Sequence, residues 1–399
     1  MIIKPRVRGF ICITAHPDGC EAQVNKQVEY VLQQGAFEKA PKRVLILGAS
    51  TGYGLASRIV SAMGGKADTF GVFFERPGDD TKPASPGWYN TVAFEKAAEA
   101  QGLKAYSMNG DAFSADFKAQ VVRELREKMG SVDCVIYSLA APRRTDKDGN
   151  MYKSVLKPVG QTFTSKTVNT DKGEVYETSL EPATEDDVFQ TVKVMGGEDW
   201  EEWIQLLVAE NLLEKGASTI AYSYIGPEVT WPIYKSGTIG RAKEHLAQTA
   251  EKLNQFLQEK LQGRALISVN KAVVTQASSA IPVVPLYNSV LFKVMKEKGL
   301  HEDCIEQIYR LFAGLFDHKV PLQQDRETCV RLDDRELLPE VQEEVQAIWA
   351  KINTENLHQL SDFDGYQENF LQLFGFECAG IDYDADVEAQ RPIKHLLNA

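Results

Sequence analysis

Apolar positions along the first two thirds of the chain recur in two alternating periods. Residues 44–47 are four consecutive apolar side chains, the pattern of a short strand buried on both faces. Beyond a run of glycines, Gly52, Ala56, Ile59, Val60 and Met63 fall three or four apart and define a helix that Gly64 and Gly65 stop. The same alternation then repeats. Strands are predicted at 69–74, 103–108, 132–139, 218–225 and 265–274, and helices at 88–102 and 115–129. A helix striped by Trp200, Trp203, Leu206, Leu207 and Leu212 is expected to end at Gly216. A longer one carries Ile239, Ala242, Leu246, Ala250, Leu253 and Leu257. A strand at 7–14 and a helix at 21–34 precede the series. Strands separated by helices of this length imply a parallel sheet covered on both faces, a doubly wound α/β fold.

The pattern breaks at 142–187. Two alternating runs, 161–168 and 175–180, flank Asn169 to Gly173 and predict a β-hairpin inserted above the sheet. From residue 286 the chain turns helical, at 287–298, 303–316 and 339–352, with acidic runs such as 336–344 expected to face solvent. No Pro/Gly/Ser linker divides the chain. The expected organisation is a core over 1–285 and a helical extension over 286–399, packed as one unit.

The net charge of -12 disfavours nucleic acid as a partner, because phosphate binding needs a concentrated basic surface. No apolar run approaches the ~20 residues of a membrane helix, and the first residues lack the apolar stretch of a signal peptide. A cytoplasmic protein without stable membrane association is expected. The six cysteines form no CxxC pair, and Cys134 falls in a predicted buried strand. Ala15-His-Pro-Asp-Gly-Cys20 is similar to the Ala-His-Pro-Asp-Asp-Glu motif of zinc deacetylases. Gly19 and Cys20 replace its second Asp and its Glu, so the stretch reads as a turn capping the next helix, and no metal site is expected.

The candidate chemistry begins at Gly48-x-x-x-Gly52-x-Gly54. Glycines at a strand-to-helix turn let a diphosphate approach the free N–H groups at the positive helix end. Glu75 ends the second strand of the series, 27 positions after Gly48, where a carboxylate accepts hydrogen bonds from the ribose hydroxyls of NAD. Arg76 keeps a 2′-phosphate in play. Asp111 and Ala112 follow the next strand, and Leu139 and Ala140 the one after it, all at the ligand-binding edge. For Asp111, a helix cap and a contact to adenine are both open. Arg143 and Arg144 are either solvated loop residues or contacts to a phosphate-bearing substrate.

Tyr234 and Lys243 are separated by eight residues. On one continuous helix, nine steps of about 100° would place them on opposite faces. Pro232, Gly237 and Gly240 oppose helix there, so Tyr234 is expected in a loop, with Lys243 in the first turns of the helix. Beside a nicotinamide, the phenol can stabilise and protonate an enolate while the ammonium holds the ribose. Tyr224, at a strand end, is a second candidate.

Taken together, Gly48-Ala-Ser-Thr-Gly-Tyr-Gly54, Ser138-Leu-Ala-Ala-Pro-Arg143, Val194-Met-Gly-Gly-Glu-Asp-Trp200, the Tyr234/Lys243 pair and Asp362-Phe-Asp-Gly-Tyr366 resemble the FabV-type enoyl-[acyl-carrier-protein] reductases, also called trans-2-enoyl-CoA reductases. The resemblance covers nearly the whole chain. It implies a Rossmann-type sheet related to short-chain dehydrogenases/reductases, a monomer, and NADH-dependent reduction of enoyl thioesters carried on CoA or a transient acyl carrier protein. Carried over by motif, Gly48, Ala49, Ser50, Thr51, Gly52, Tyr53, Phe74, Glu75, Asp111, Ala112, Leu139, Ala140, Lys243, Val273, Val274 and Thr275 would border NAD. Tyr234 would be the proton donor and Tyr224 a substrate contact. The apolar, proline-broken stretch 278–285 is expected to line the acyl tunnel. A non-catalytic NAD-binding module and a Rossmann-type methyltransferase are the competing readings.

Overall fold

The structure, a computed structural model, describes residues 1–398. A small hairpin of β1 (Val7–Arg8) and β2 (Ile11–Cys12) leads into α1 (Pro17–Gln34). Three strand–helix repeats follow: β3 (Arg43–Leu47) with α2 (Gly52–Ile59), β4 (Asp68–Phe73) with α3 (Pro86–Ala100), and β5 (Ala105–Asn109) with α4 (Ala115–Lys128). After β6 (Val132–Tyr137) comes an insertion of two hairpins, β7 (Arg143–Thr145) with β8 (Met151–Lys153) and β9 (Phe163–Asn169) with β10 (Glu174–Leu180). The chain returns to the core through α5 (Glu185–Met195), α6 (Glu198–Ala209), β11 (Leu213–Ser223), α7 (Thr238–Leu261) and β12 (Arg264–Val269). Next come α8 (Gln276–Ser279), α9 (Val284–Glu297), α10 (Cys304–Leu315), β13 (Gln323–Arg326) and β14 (Cys329–Arg331). Helices α11 (Pro339–Lys351), α12 (Leu357–Leu360) and α13 (Phe363–Gln372) close the series.

Eight strands form one sheet in the order β13-β14-β12-β11-β6-β3-β4-β5, parallel except for the β13–β14 hairpin. Strand alternation divides the core. On β3, Val44 and Ile46 face the side covered by α1, α2, α3, α9 and α10, whereas Leu45 and Leu47 face α4, α6 and α7. From β3 the chain winds outward through β4 and β5, then crosses back to β6 on the other flank. This reversal opens a crevice at the carboxyl ends of β3 and β6, where open α/β sheets take their ligands.

Four departures from the sequence pattern have local causes. The expected strand at 7–14 is a hairpin, because Gly9 turns the chain at φ 59° and leaves Phe10 and Ile11 exposed. The tryptophan-striped helix stops at Ala209, since Asn211 takes φ 55°, and β11 starts at Leu213 with a register shift before Ser218. The insertion holds two hairpins where the alternation revealed one. The extension beyond residue 286 is not purely helical: β14 pairs in parallel with β12, and Cys329 and Val330 are buried. His16 is the N-cap of α1, its Nδ1 accepting the Gly19 N–H at 3.3 Å, as expected for a helix-starting turn. No described helix is long and apolar enough to cross a membrane.

Beyond α13 the chain runs back over α3 and β5. Trp88 and Tyr89 donate to the carbonyls of Arg391 and Ala389, at 2.7 and 2.8 Å. Asn398 and Asn109 exchange two hydrogen bonds, at 2.9 and 2.8 Å.

Candidate active site

The glycine turn is fixed by close packing as much as by flexibility. A Cβ on Gly54 would stand 1.8 Å from the Gly48 carbonyl oxygen, and one on Gly48, itself at φ 89°, would stand 2.3 Å from that of Ser138. Gly52 opens α2 at φ 53°. Thr51, the N-cap, provides no side-chain acceptor, so the first amides of α2 stay free to receive an anion. Ala49 ties the turn to β4 by donating to the Val72 carbonyl at 2.9 Å. The Ser50 hydroxyl donates to Glu75 Oε1 at 2.7 Å, and Asn90 donates to the Ser50 carbonyl at 3.1 Å.

Glu75 is therefore brought directly against the turn. Its backbone is clamped by Asn109, which accepts the Glu75 N–H at 2.7 Å and donates back to its carbonyl at 2.8 Å. Burial pushes its carboxyl pKa up, opposed by hydrogen bonds from Ser85 and Ser50. Beside it, Phe74 is 78% exposed, an unshielded aromatic face at the end of β4. The Asp111 carboxylate is exposed and accepts the Phe113 N–H at 3.0 Å, but α4 is capped by Ser114, so the helix-cap reading of Asp111 is wrong. Ala112 is buried, its carbonyl receiving the Trp203 indole N–H at 3.2 Å. Leu139 Cδ2 lies 3.3 Å, and the Thr275 methyl 3.7 Å, from where Cβ atoms on Gly48 and Gly52 would sit. Ala140 is exposed just beyond, while Val273 and Val274 are buried. The Tyr53 hydroxyl is committed to the scaffold, donating to the Lys271 carbonyl at 2.8 Å and to Gln307 at 3.2 Å. A strand, an unblocked helix N-terminus, a carboxylate at the second strand end and a bare aromatic ring make a cradle that fits NAD.

The second half of the site lies at the carboxyl end of β11. Tyr234 occupies a turn ahead of α7, its N–H donating to the Thr230 carbonyl at 3.0 Å. Gly237 and Gly240 let this turn fold onto the helix start, since Cβ atoms there would meet the carbonyl oxygens of Ile233 and Tyr234 at 2.0 and 2.2 Å. Lys243 falls in the second turn of α7 and donates to the Tyr222 carbonyl at 3.0 Å. Burial lowers its pKa to about 8. Two residues along, the Tyr224 ring meets that of Tyr234 edge-on, centroids 4.6 Å apart. The tyrosine and the lysine thus converge on one strand end, as a broken helix requires.

Tyr234 is 6% exposed and sits in an apolar cluster with Ile233, Ile239, Ile281, Val283 and Val284, fringed by Leu156 and Phe163 of the insertion. Among the described residues its hydroxyl has no hydrogen-bond partner. Burial and the Glu336 carboxylate both push its pKa up. Val283 holds φ 74°, a strained conformation for a β-branched residue, at the lip of this cluster.

Two readings need correction. Arg144 is neither a solvated loop residue nor a substrate contact: it is 2% exposed and bridges Glu198 and Glu202 at 2.7 and 3.2 Å. Glu336 does not face solvent with the rest of its acidic run. It is fully buried and accepts the hydroxyls of Tyr224 and Tyr287 at 3.0 and 2.7 Å. Nothing in its sequence neighbourhood separates it from the exposed acids that follow. Two shallow hollows, one by Glu251 and Arg326 and one by Arg264 and Leu322, share no residue with the site.

The sheet order, the cradle at the switch point and a Tyr/Lys pair gathered at the carboxyl end of β11 define a nicotinamide-dependent reductase of the Rossmann class. Comparison with known proteins narrows that class. Residues 82–316 match the family model described as the trans-2-enoyl-CoA reductase catalytic region, and residues 2–80 that of the NAD(P)H binding domain of trans-2-enoyl-CoA reductase. The chain belongs to the trans-2-enoyl-CoA reductase family. It is 56% identical over 387 residues to an enoyl-[acyl-carrier-protein] reductase [NADH] of Flavobacterium johnsoniae, covering 97% of each chain. To the enzyme of the same name from Opitutus terrae it is 54% identical, over 98% of this chain and all of that one. The crystal structure of Treponema denticola trans-2-enoyl-CoA reductase in complex with NAD superposes with a TM-score of 0.92 at 52% identity, over 97% of this chain and 98% of that one. The Clostridium acetobutulicum enzyme in complex with NADH gives 0.94 at 42% identity, over 98% and 100%.

A third model, described as an enoyl reductase FAD binding domain, matches residues 324–387. Those residues supply strand β14, helices α11 to α13 and the buried Glu336, with no strand–glycine turn–helix cradle among them. They do not fit a flavin dinucleotide.

Proposed function

We propose that the chain is an NADH-dependent reductase of trans-2-enoyl thioesters, converting them to saturated acyl thioesters as the closing step of fatty-acid elongation. The observation that carries this reading is Tyr234: a phenol free of protein partners, set in an apolar cluster beside a lysine and opposite a dinucleotide cradle. NADH, when bound, supplies the hydride that reaches the substrate β-carbon. The α2 amides, Ser50 and Thr51 would hold its diphosphate, Glu75 its adenosine ribose, and Phe74, Asp111 and Ala112 its adenine side. Leu139, Ala140 and residues 273–275 would border the nicotinamide half.

Tyr234 donates its hydrogen bond to the thioester oxygen, stabilises the enolate that develops there, and gives up the proton that completes the saturated product. Lys243, mostly protonated at neutral pH, holds the nicotinamide ribose and offsets the charge of the phenolate left behind. The apolar residues around Tyr234 exclude water from the enolate and, with residues 278–285, receive the acyl chain. Residues 1–285 form the cofactor and catalytic core, and 286–399 an extension of the same unit. We place the enzyme in the cytoplasm as a monomer that meets its substrate on CoA or an acyl carrier protein.

The direct test mixes protein, NADH and crotonyl-CoA and follows NADH absorbance. Oxidation that requires both the protein and the enoyl thioester is expected. A protein that binds NADH yet oxidises none with crotonyl or longer enoyl thioesters would contradict the proposal and leave a cofactor-binding module.

A further inference from the structure

Glu336 lies between β14 and α11, more than 90 residues after Lys243 in sequence, yet it ends directly behind the two tyrosines of the site. Every hydrogen bond it makes through its carboxylate is accepted from a donor. Oε1 receives the hydroxyls of Tyr224 and Tyr287, and Oε2 receives the Ala272 N–H at 2.7 Å. Burial pushes its pKa up, opposed by Lys271 and by the hydrogen bonds from Tyr287 and Ala272, and three donors with no acceptor match the ionised carboxylate. The groups that face it are Lys271 after β12, Tyr287 on α9, Tyr224 beyond β11, Tyr234 in the turn before α7, Tyr53 on α2, and Asp333 on its own segment. Lys271 is the one cation among them. The Gln342 side chain fixes the segment by donating to the Glu336 carbonyl at 2.7 Å.

We propose that Glu336 is a positioning residue for the proton-donating tyrosine: by accepting the Tyr224 hydroxyl it turns that hydrogen away from the substrate, fixes the ring that packs on Tyr234, and leaves Tyr234 as the sole phenol able to donate to the enolate. Tyr224 then presents only lone pairs and ring to the substrate. The buried negative charge also disfavours premature ionisation of Tyr234, keeping the phenol protonated until an enolate demands the proton. The proposal rests on Tyr234 being the donor. It assigns a role in the chemistry to the part of the chain beyond the catalytic-region match, which ends at residue 316.

The test uses Glu336→Gln, Glu336→Asp and Tyr224→Phe in the full chain. Removing the charge stabilises the phenolate, so Glu336→Gln should lower the pH at which Tyr234 ionises by about one unit. Its kcat should fall about tenfold, with NADH affinity unchanged. Ultraviolet titration of substrate-free protein should show one tyrosine ionising at lower pH than in wild type, and Tyr234→Phe should abolish that early step. This titration reads the Glu336–Tyr234 coupling whatever the reaction, so its failure is distinct from a failure of the reductase reading. Glu336→Asp, which keeps the charge, should keep the wild-type tyrosine titration. A folded Glu336→Gln enzyme with wild-type kcat and an unshifted tyrosine titration would overturn the proposal. If that variant does not fold, Tyr224→Phe decides, since it cuts the same bond while leaving Glu336 with Tyr287 and Ala272: a reduced kcat with the crotonyl-CoA KM unchanged supports the proposal, and a wild-type kcat, or a loss confined to KM, overturns it.

Discussion

The two halves of the site are built by different means. The nucleotide half is made of backbone: Gly48, Gly52, Gly54 and the α2 amides come from one short stretch, and Glu75 joins them through Ser50. The catalytic half is made of side chains gathered from afar. Tyr234 is walled by residues of the insertion, by the 281–284 segment and by α9, and its neighbour Tyr224 is held in turn by Glu336. A backbone cradle tolerates almost no change of residue but needs few partners, whereas the catalytic half tolerates local change and depends on distant support. Substitutions in one half should therefore leave readouts of the other intact.

The largest expected effect breaks the cradle itself. Gly54→Ala drives a Cβ to 1.8 Å from the Gly48 oxygen, so the turn must open. Strain of about 2–3 kcal/mol is expected, seen as a lower Tm, and NADH affinity should drop about 100-fold. Lys243 is the residue the halves share, and its effect should cross between them. Lys243→Met should lower turnover and NADH affinity together, by tens-fold. In wild type, NADH affinity should weaken as pH rises through about 8, where the buried ammonium loses its charge, and Lys243→Met should lack this dependence. The stability effect has the opposite sense. The unfolded chain holds this proton more tightly than the folded one, so the cost of the buried ammonium is present below about pH 8 and is relieved as pH rises toward the ordinary lysine value.

Smaller effects sharpen the comparison. Glu75→Ala should narrow the preference for NADH over NADPH by about tenfold, the size of one ~1.4 kcal/mol charge contact, without changing kcat. Equal use of both cofactors by wild type would refute the role given to Glu75. Asn398→Ala should weaken NADH binding only a few-fold, since Asn398 acts on Glu75 through Asn109. An unchanged affinity in titration would detach the chain's last segment from the cradle.

The sequence made these halves unequally legible. Strands β3 to β6, their helices and the glycine turn are short-range features, written in four apolar residues, three glycines and an acid at a strand end. Even the break before α7 was readable, because Pro232, Gly237 and Gly240 cannot continue a helix. What escaped depends on contacts between distant segments. Arg144 looked like a loop arginine because its partners Glu198 and Glu202 lie over fifty residues on. Glu336 looked solvated because its neighbours are acidic, and only the folded chain sets it against Tyr224 and Tyr287. Strand β14 was too short to register beside the helices around it. Local pattern carries the cradle, and long-range packing carries the environment of the proton donor.

The most direct test of that division is Tyr234→Phe, with NADH affinity measured by fluorescence and turnover by NADH oxidation with crotonyl-CoA on the same preparation. The account predicts turnover lowered by about 10²–10⁴-fold while NADH affinity stays near wild type. Near-normal turnover would remove Tyr234 as the proton donor, and lost NADH affinity would mean that the two halves are not separable.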